Sequence, residues 1–200
     1  MNAMDLVLHG LAIKKHADAA AIAPLIGLGV DETTVLLECA AASGRASAAQ
    51  GKFLLTPLAR VALDCNYSKQ YADIRRDARF VAAHEAFERI NLELKALITD
   101  WQTIKVGGER IVNDHRDEAY DERIIDRLGG LHERAEVILA ALATAEPRFE
   151  YYRRALGVAL ENAEDGVVEW VSDARRDSYH TIWFELHEDL LRTIGRQRVE

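Results

Sequence analysis

The chain has 200 residues, enough for one large domain or two small ones that each bury a core. Its apolar fraction of 49% and charged fraction of 29% are those of a globular protein and exclude a disordered chain. No run approaches the roughly 18 uninterrupted apolar residues of a membrane span. Residues 1–5 lack the basic start of a secretory signal, so we expect a cytoplasmic protein without a membrane role.

Charge and cysteine usage narrow the function classes further. The net charge of −8 argues against a general polyanion binder. Residues 1–66 carry five Lys/Arg and six Asp/Glu, so the first third is less acidic than the rest without being basic. Cys39 and Cys65 lie in apolar patterns without CxxC spacing, which predicts two buried thiols rather than a disulfide or a metal pair.

The first third of the chain predicts three helices, a β-hairpin and a fourth helix. Residues 5–15 form a short apolar helix, and residues 18–27 form a second one between an Asp cap and a Gly terminus. After a tight link, Asp31 is the predicted N-cap of a third helix that ends near residue 42. A turn at residues 51–52 leads into a strand at 53–55, after which Thr56-Pro57 begins a further helix.

This order of secondary-structure elements resembles that of a known protein family. The stretches HADAAAIAPLIGLGVDETTVLLECAAASG and GKFLLTPLARVAL are similar to the winged helix-turn-helix domain of MarR-type bacterial transcription regulators. The resemblance covers about a third of the chain. It implies a mainly α protein with a winged helix over residues 1–65, made of three helices and a small β-hairpin wing. It assigns DNA contacts to two residues of the helix after the turn and two of the wing: Thr33, Thr34, Arg45 and Lys52.

The sequence departs from the pattern of that family in two respects. Ala59 stands where the wing motif usually has glycine, and the helix after the turn carries Glu32 and Glu38 but no Lys or Arg. DNA readers of this type present basic or amide side chains at that helix. An alternative interpretation is therefore a winged helix that serves as a structural or protein-docking element.

Residues 66–200 predict an α-helical bundle of four to five helices for dimerisation, ligand binding, or both. The segment from residue 68 to 104 reads as one long helix, broken at most once, and its large apolar residues recur every seven positions: Phe80, Phe87, Leu94 and Trp101. Such a stripe is typical of a packed or pairing helix and motivates a homodimer. A loop over 106–121 follows, then a helix over 121–145 with a break at residues 129–130, and helices over 147–164 and 174–194.

Two groups of side chains predict a pocket for a small-molecule effector. Spacings of four, three and four place the first group on one helix face: His84, Glu88, Asn91 and Lys95. The second group lies on the last helix beside an apolar seam: His180, Trp183 and His187. The structural alternatives are a solvated face for the first group and core packing for the second. A metal site built from His84, Glu88, His180 and His187 is a weaker alternative, because HxxxH, HExxH and CxxC motifs are absent.

Sequence signatures of enzymes are also absent, with no GxSxG, Walker loop or GxGxxG, so we expect neither catalysis nor a cofactor. The sequence thus predicts a one-component bacterial transcription regulator that binds DNA through its winged helix. The alternative is a protein-interaction or regulatory module without a DNA role, associated with a phosphoenolpyruvate-utilising enzyme.

Overall fold

The computed structural model describes residues 1–196 of the chain, which is mainly helical, as predicted. The residues divide into two compact units. The first unit comprises Met1–Ala78 and the C-terminal segment from Glu185, and the second unit comprises Arg79–Phe184. The last helix, α9 (Tyr179–Ile194), contributes its residues up to Phe184 to the second unit and the remainder to the first.

The first unit contains four complete helices, one β-hairpin and a short 3₁₀ turn at Ile74–Arg76. In chain order its helices and strands are α1 (Ala3–Lys14), α2 (Ala19–Ile26), α3 (Val30–Ala42), β1 (Ala46–Ala49), β2 (Lys52–Leu55) and α4 (Pro57–Gln70). Leu11 of α1, Ile22 of α2 and Leu37 of α3 are fully buried in its core. Leu186 and Leu190 of α9 are fully buried as well, so the C-terminal segment is part of the hydrophobic core.

Local capping residues fix the ends of these helices. The Asp18 carboxylate accepts a hydrogen bond from the Ala21 N–H at the start of α2, and Gly27 ends α2 with a φ of 71°. Thr56 caps α4, with Pro57 at the first helical position. The prediction that Asp31 caps α3 is wrong, because α3 begins at Val30 and Asp31 lies within its first turn, near the positive end of the helix dipole.

The hairpin of the first unit joins β1 and β2 in antiparallel register, with Ala46 opposite Leu55. Its turn lies at Gln50 and Gly51, both with positive φ, rather than at the predicted residues 51–52. A third segment adds to this hairpin, because Ala17 forms an isolated antiparallel bridge with Phe53.

The second unit is built from helices and a second hairpin. In chain order its elements are α5 (Ala78–Gln102), β3 (Thr103–Val106), β4 (Glu109–Val112), α6 (Glu118–Ala145), α7 (Phe149–Glu164), α8 (Glu169–Ser172) and the first turns of α9. The prediction of a loop over 106–121 is wrong in part, because β3 and β4 pair through a turn at Gly107 and Gly108, both with positive φ.

The segment predicted as a long helix has one break, as the sequence allowed, since α4 ends at Gln70 and α5 begins at Ala78. Helix boundaries correct two further predictions. The glycines at 129 and 130 do not break α6, because the buried Leu128 and Leu131 on either side anchor the helix. The last helix begins at Tyr179 rather than near residue 174.

The large apolar residues that recur every seven positions on α5, called the heptad stripe below, pack within the second unit. Phe80 is within 6.2 Å of the Phe149 ring, and Phe87 stacks on Trp183 at 4.8 Å, measured between ring centroids. Leu94 and Trp101 are also buried. The stripe therefore forms part of the unit's own core.

None of the described helices is by itself long and apolar enough to cross a membrane, and α2 and α3 meet that criterion only as a pair bent by 111°.

Candidate functional site

The surface around α3 is the region to which the sequence assigned DNA contacts. Thr33, however, is completely buried, and its hydroxyl donates a hydrogen bond to the Gly29 carbonyl oxygen at 2.8 Å. It shares a helix face with Leu37 and Ala40, which are also fully buried. Thr34 is half-buried, and its hydroxyl donates to the Val30 carbonyl oxygen. Thr33 therefore supports the fold of the first unit and offers no group to a ligand at the surface.

The two predicted basic contacts lie at the surface beside the first hairpin. Arg45 connects α3 to β1, and Lys52 is the first residue of β2. Both side chains are exposed, and neither makes a hydrogen bond or ion pair with another residue among 1–196. These two cations are therefore available to an external partner.

The solvent-exposed side of α3 consists of acidic and apolar residues and is called the α3 face below. Its exposed members are Val30, Asp31, Glu32, Val35, Glu38 and Cys39. Val35 is 57% exposed, which is unusual for a valine in a folded unit. Because α3 contains no Lys or Arg, its three carboxylates have no basic neighbour along the helix. The α3 face is thus anionic with an apolar component.

The exposure of Cys39 and Cys65 overturns the prediction of buried thiols. Both residues occupy helix positions beside apolar neighbours, and that pattern does not show which neighbours face the core. The two cysteines are free thiols at the surface of the first unit.

A groove of about 490 Å³ lies between α1, α4 and the connection that follows α3, and is called the α1–α4 groove below. Its apolar lining consists of Met4, Leu8, Leu58, Ala59, Ala62 and Leu63. Arg45 borders it, as do Asp5 and Asn66. Leu58 is 79% exposed, so a large apolar side chain is exposed to solvent at the edge of the groove.

Buried polar groups hold the C-terminal segment within the first unit. The His9 ring contacts the Tyr67 hydroxyl through Nδ1 at 2.8 Å and the Asp189 carboxylate through Nε2 at 3.2 Å. Burial raises the pKa of Tyr67, so its hydroxyl keeps its proton and donates to Nδ1. His9 Nε2 lies beside the buried Asp189 carboxylate. Because both ring nitrogens contact groups of the same unit, this cluster is structural.

Two cations of the first unit are also engaged internally. Lys14 pairs with Glu185 at 2.8 Å, and both side chains are almost entirely buried. Arg192 pairs with Asp64 at 2.9 Å and with Glu188 at 2.8 Å. Neither cation is displayed on an open surface.

The predicted effector residues of α5 have different surroundings. His84 and Asn91 are buried, and the Trp183 Nε1–H donates a hydrogen bond to the Asn91 side-chain oxygen at 3.1 Å. The half-buried Glu88 is 3.5 Å from His84 Nε2, whereas Lys95 is exposed. The structure thus brings Asn91 and Trp183 together, as parts of the core.

The remaining predicted effector residues do not join this group. His180 is half-buried in the second unit, and burial lowers the pKa of its imidazole. His187 is buried and belongs to the first unit. Within residues 1–196, no three His, Cys, Asp or Glu side chains are arranged to hold a metal ion.

A polar cluster in the second unit was not predicted from the sequence. Asn113 donates through its amide to Asp121 at 2.9 Å and to the Trp101 carbonyl oxygen at 3.0 Å. His115 Nδ1 is 2.9 Å from the other Asp121 oxygen, and its backbone has a φ of 56°. The cluster fixes the chain between β4 and α6, and a groove of about 550 Å³ with Glu118 in its lining lies beside it. The sequence signal was Asn-Asp-His before a helix, a combination that tolerates left-handed backbone.

Comparison with known protein families, with characterised proteins and with solved structures found no match for this chain.

Proposed function

We propose that the first unit is a winged-helix module that docks on a protein partner through the α3 face, and that the chain acts as a regulatory interaction protein. The order of elements supports the winged-helix part of the proposal. Helix α1, the Ala17 bridge segment, α2, α3 and the hairpin β1–β2 follow one another as they do in that fold. The angle of 111° between α2 and α3 lies within the range of about 90–120° that is usual for helix-turn-helix units.

The charge of the α3 face is the observation that carries the choice of a protein partner. A helix that enters a DNA groove brings its exposed side chains close to phosphates, so carboxylates there are repelled. Asp31, Glu32 and Glu38 are all exposed on α3, and no cation of the helix offsets them. A protein partner with a basic and apolar surface complements both the carboxylates and the exposed valines.

Photo-crosslinking in the host cell tests this proposal directly. A photoreactive amino acid at Val35 should form a protease-sensitive adduct, whereas the same group at Val158, an exposed valine of α7, should not form that adduct. Reversing the charge with Glu32→Lys and Glu38→Lys should remove the adduct, because the attraction to a basic partner becomes repulsion. A nuclease-sensitive adduct at Val35, or an adduct that is indifferent to charge reversal, would contradict the proposal.

A second candidate is the transcription regulator that the sequence predicts. The unpaired, exposed Arg45 and Lys52 beside the hairpin favour it, because a wing contacts the phosphate backbone. Fluorescence anisotropy with upstream and random duplexes, at about 50 and about 200 mM salt, tests it. If DNA is the partner, upstream DNA binds more tightly, and each of Arg45→Ala and Lys52→Ala lowers the salt slope by about one. A regulator of this kind also needs two-fold symmetry, so sedimentation must show a homodimer.

A further inference from the structure

We propose a second binding site in the first unit: the α1–α4 groove takes an amphipathic helix from a partner protein, and Arg45 pairs with a carboxylate beside that helix's apolar anchors. The site shares no residue with the α3 face, and it is independent of whether that face docks on a partner.

The shape of the groove comes from small residues on α4. Ala59 and Ala62 line it where longer side chains would fill it, while Leu8 and Leu63 are buried beneath. Leu58 stands at the edge, largely exposed. The groove has an apolar floor and an exposed apolar rim. Binding of a large apolar side chain there is favourable, because apolar surface on both molecules is removed from water.

The backbone of the groove favours a helical segment as the bound partner, which is called the guest below. The backbone groups in the interiors of α1 and α4 are already bonded within their own helices, so the walls offer few partners to a guest's N–H and C=O groups. An extended segment would leave its own backbone unpaired against these walls. A helix satisfies its backbone internally and presents apolar side chains three and four residues apart along one face.

Charge complementarity predicts a carboxylate on the bound helix. Arg45 borders the groove with an exposed guanidinium that has no hydrogen bond or ion pair among residues 1–196. The Asp5 carboxylate, on the α1 wall, already accepts a hydrogen bond from the Gln70 amide at 3.1 Å. Asp5 thus has a hydrogen-bond donor within the unit, whereas the Arg45 guanidinium is a charged donor without an acceptor among residues 1–196. A carboxylate of the bound helix, next to an apolar anchor, complements Arg45.

Selection from a display library tests the inference without a known partner. The probe is a library of small, stable helical scaffolds in which one helix face of about four turns is randomised, so that guest helicity does not limit binding. Binders selected on the wild-type full chain should carry large apolar residues at three- and four-residue spacing together with Asp or Glu. A parallel selection on Arg45→Glu should replace those acids with Lys or Arg.

Two substitutions locate the binding site, and one serves as a matched control. Leu58→Asp and Ala62→Arg should each weaken the selected binders about tenfold or more, because one removes an apolar rim and the other fills the groove. Leu92→Asp changes another largely exposed leucine, on α5, and should leave binding unchanged. Circular dichroism checks that the three variants remain folded.

Three outcomes overturn the inference: no enrichment of binders, binders that tolerate both groove substitutions, or binders whose affinity is unaffected by Arg45→Glu. Because the Val35 cross-link uses other residues, failure of the groove and failure of the α3 face are separate results.

Discussion

His9 on α1 and Asp189 on α9 form a fully buried pair, with the ring Nε2 3.2 Å from the carboxylate oxygen and no exposed side-chain surface on either residue. The Thr193 hydroxyl also approaches this carboxylate, at 3.3 Å. Since a buried carboxylate is costly without donors, the His9 contact is a condition for placing α9 in the core of the first unit. The C-terminal segment is therefore a structural part of that unit.

The first prediction removes this histidine. His9→Ala should lower the free energy of unfolding by about 3 kcal/mol, because the buried Asp189 loses its imidazole partner and the packing against Tyr67 is lost. Urea denaturation followed by circular dichroism measures the change. His16→Ala, at an exposed histidine just beyond α1, should change it by less than about 0.5 kcal/mol. Equal effects of the two substitutions would show that the buried pair contributes nothing specific.

The second prediction separates a core role from a ligand role for the α5 residues. Asn91→Ala should destabilise the second unit by about 1–3 kcal/mol, because the buried Trp183 Nε1–H loses its acceptor. Nuclear magnetic resonance should show the Trp183 indole N–H resonance moving upfield. Lys95→Ala, at an exposed position of the same helix, should leave both stability and that resonance unchanged. A stable Asn91→Ala variant would argue instead that Asn91 serves a ligand.

Elements with local signals could be predicted from the sequence. The Asp18 cap, the Gly27 terminus and the Thr56-Pro57 start lie next to the helix ends that they determine, so reading a few residues suffices. The N-cap of α3, Gly29, could not be predicted in this way, because it makes no side-chain hydrogen bond to the helix. Helix starts of that kind depend on backbone geometry that composition does not reveal.

Which side of a helix faces the core was harder to predict. The family resemblance implies a DNA contact for Thr33, although its spacing from Leu37 and Ala40 places all three on one buried face. The heptad stripe of α5 correctly indicated an apolar face, but periodicity does not say whether the same chain or another one covers it. The contribution of α9 to the first unit rests on contacts such as His9 with Asp189, for which no local pattern exists.

The third prediction concerns close packing between α1 and α2. A Cβ atom added at Gly10 would lie 2.6 Å from Cγ2 of the fully buried Ile22, so Gly10→Ala must push the two helices apart. We expect a loss of about 1–3 kcal/mol in unfolding free energy. Gly157→Ala in α7 meets no atom within 4 Å and should instead stabilise the protein by up to about 1 kcal/mol. Thermal denaturation of both variants measures the contrast, and a stabilised Gly10→Ala would contradict the packing.

The fourth prediction concerns the pH dependence of the second unit. Burial lowers the pKa of His132 below its ordinary 6.5, and this effect outweighs nearby carboxylates, chiefly Glu136, that act in the opposite direction. The neutral ring accepts a hydrogen bond from the Tyr179 hydroxyl, which keeps its proton because burial raises its pKa. The folded state therefore binds fewer protons than the unfolded state once the pH falls below 6.5.

The contribution of His132 to the stability of the second unit should consequently be fully present above the unfolded pKa of 6.5. It should decrease as the pH falls through 6.5 towards the lower pKa of the folded state. His132→Gln should flatten this decrease, because the glutamine oxygen still accepts from Tyr179 but does not titrate. His180→Gln should flatten it in the same direction, since burial lowers that pKa too. Urea midpoints at about pH 8 and about pH 5.5 measure the slope, with His16→Gln as the exposed control. A slope that both buried-histidine variants leave unchanged would mean that other groups cause the loss of stability in acid.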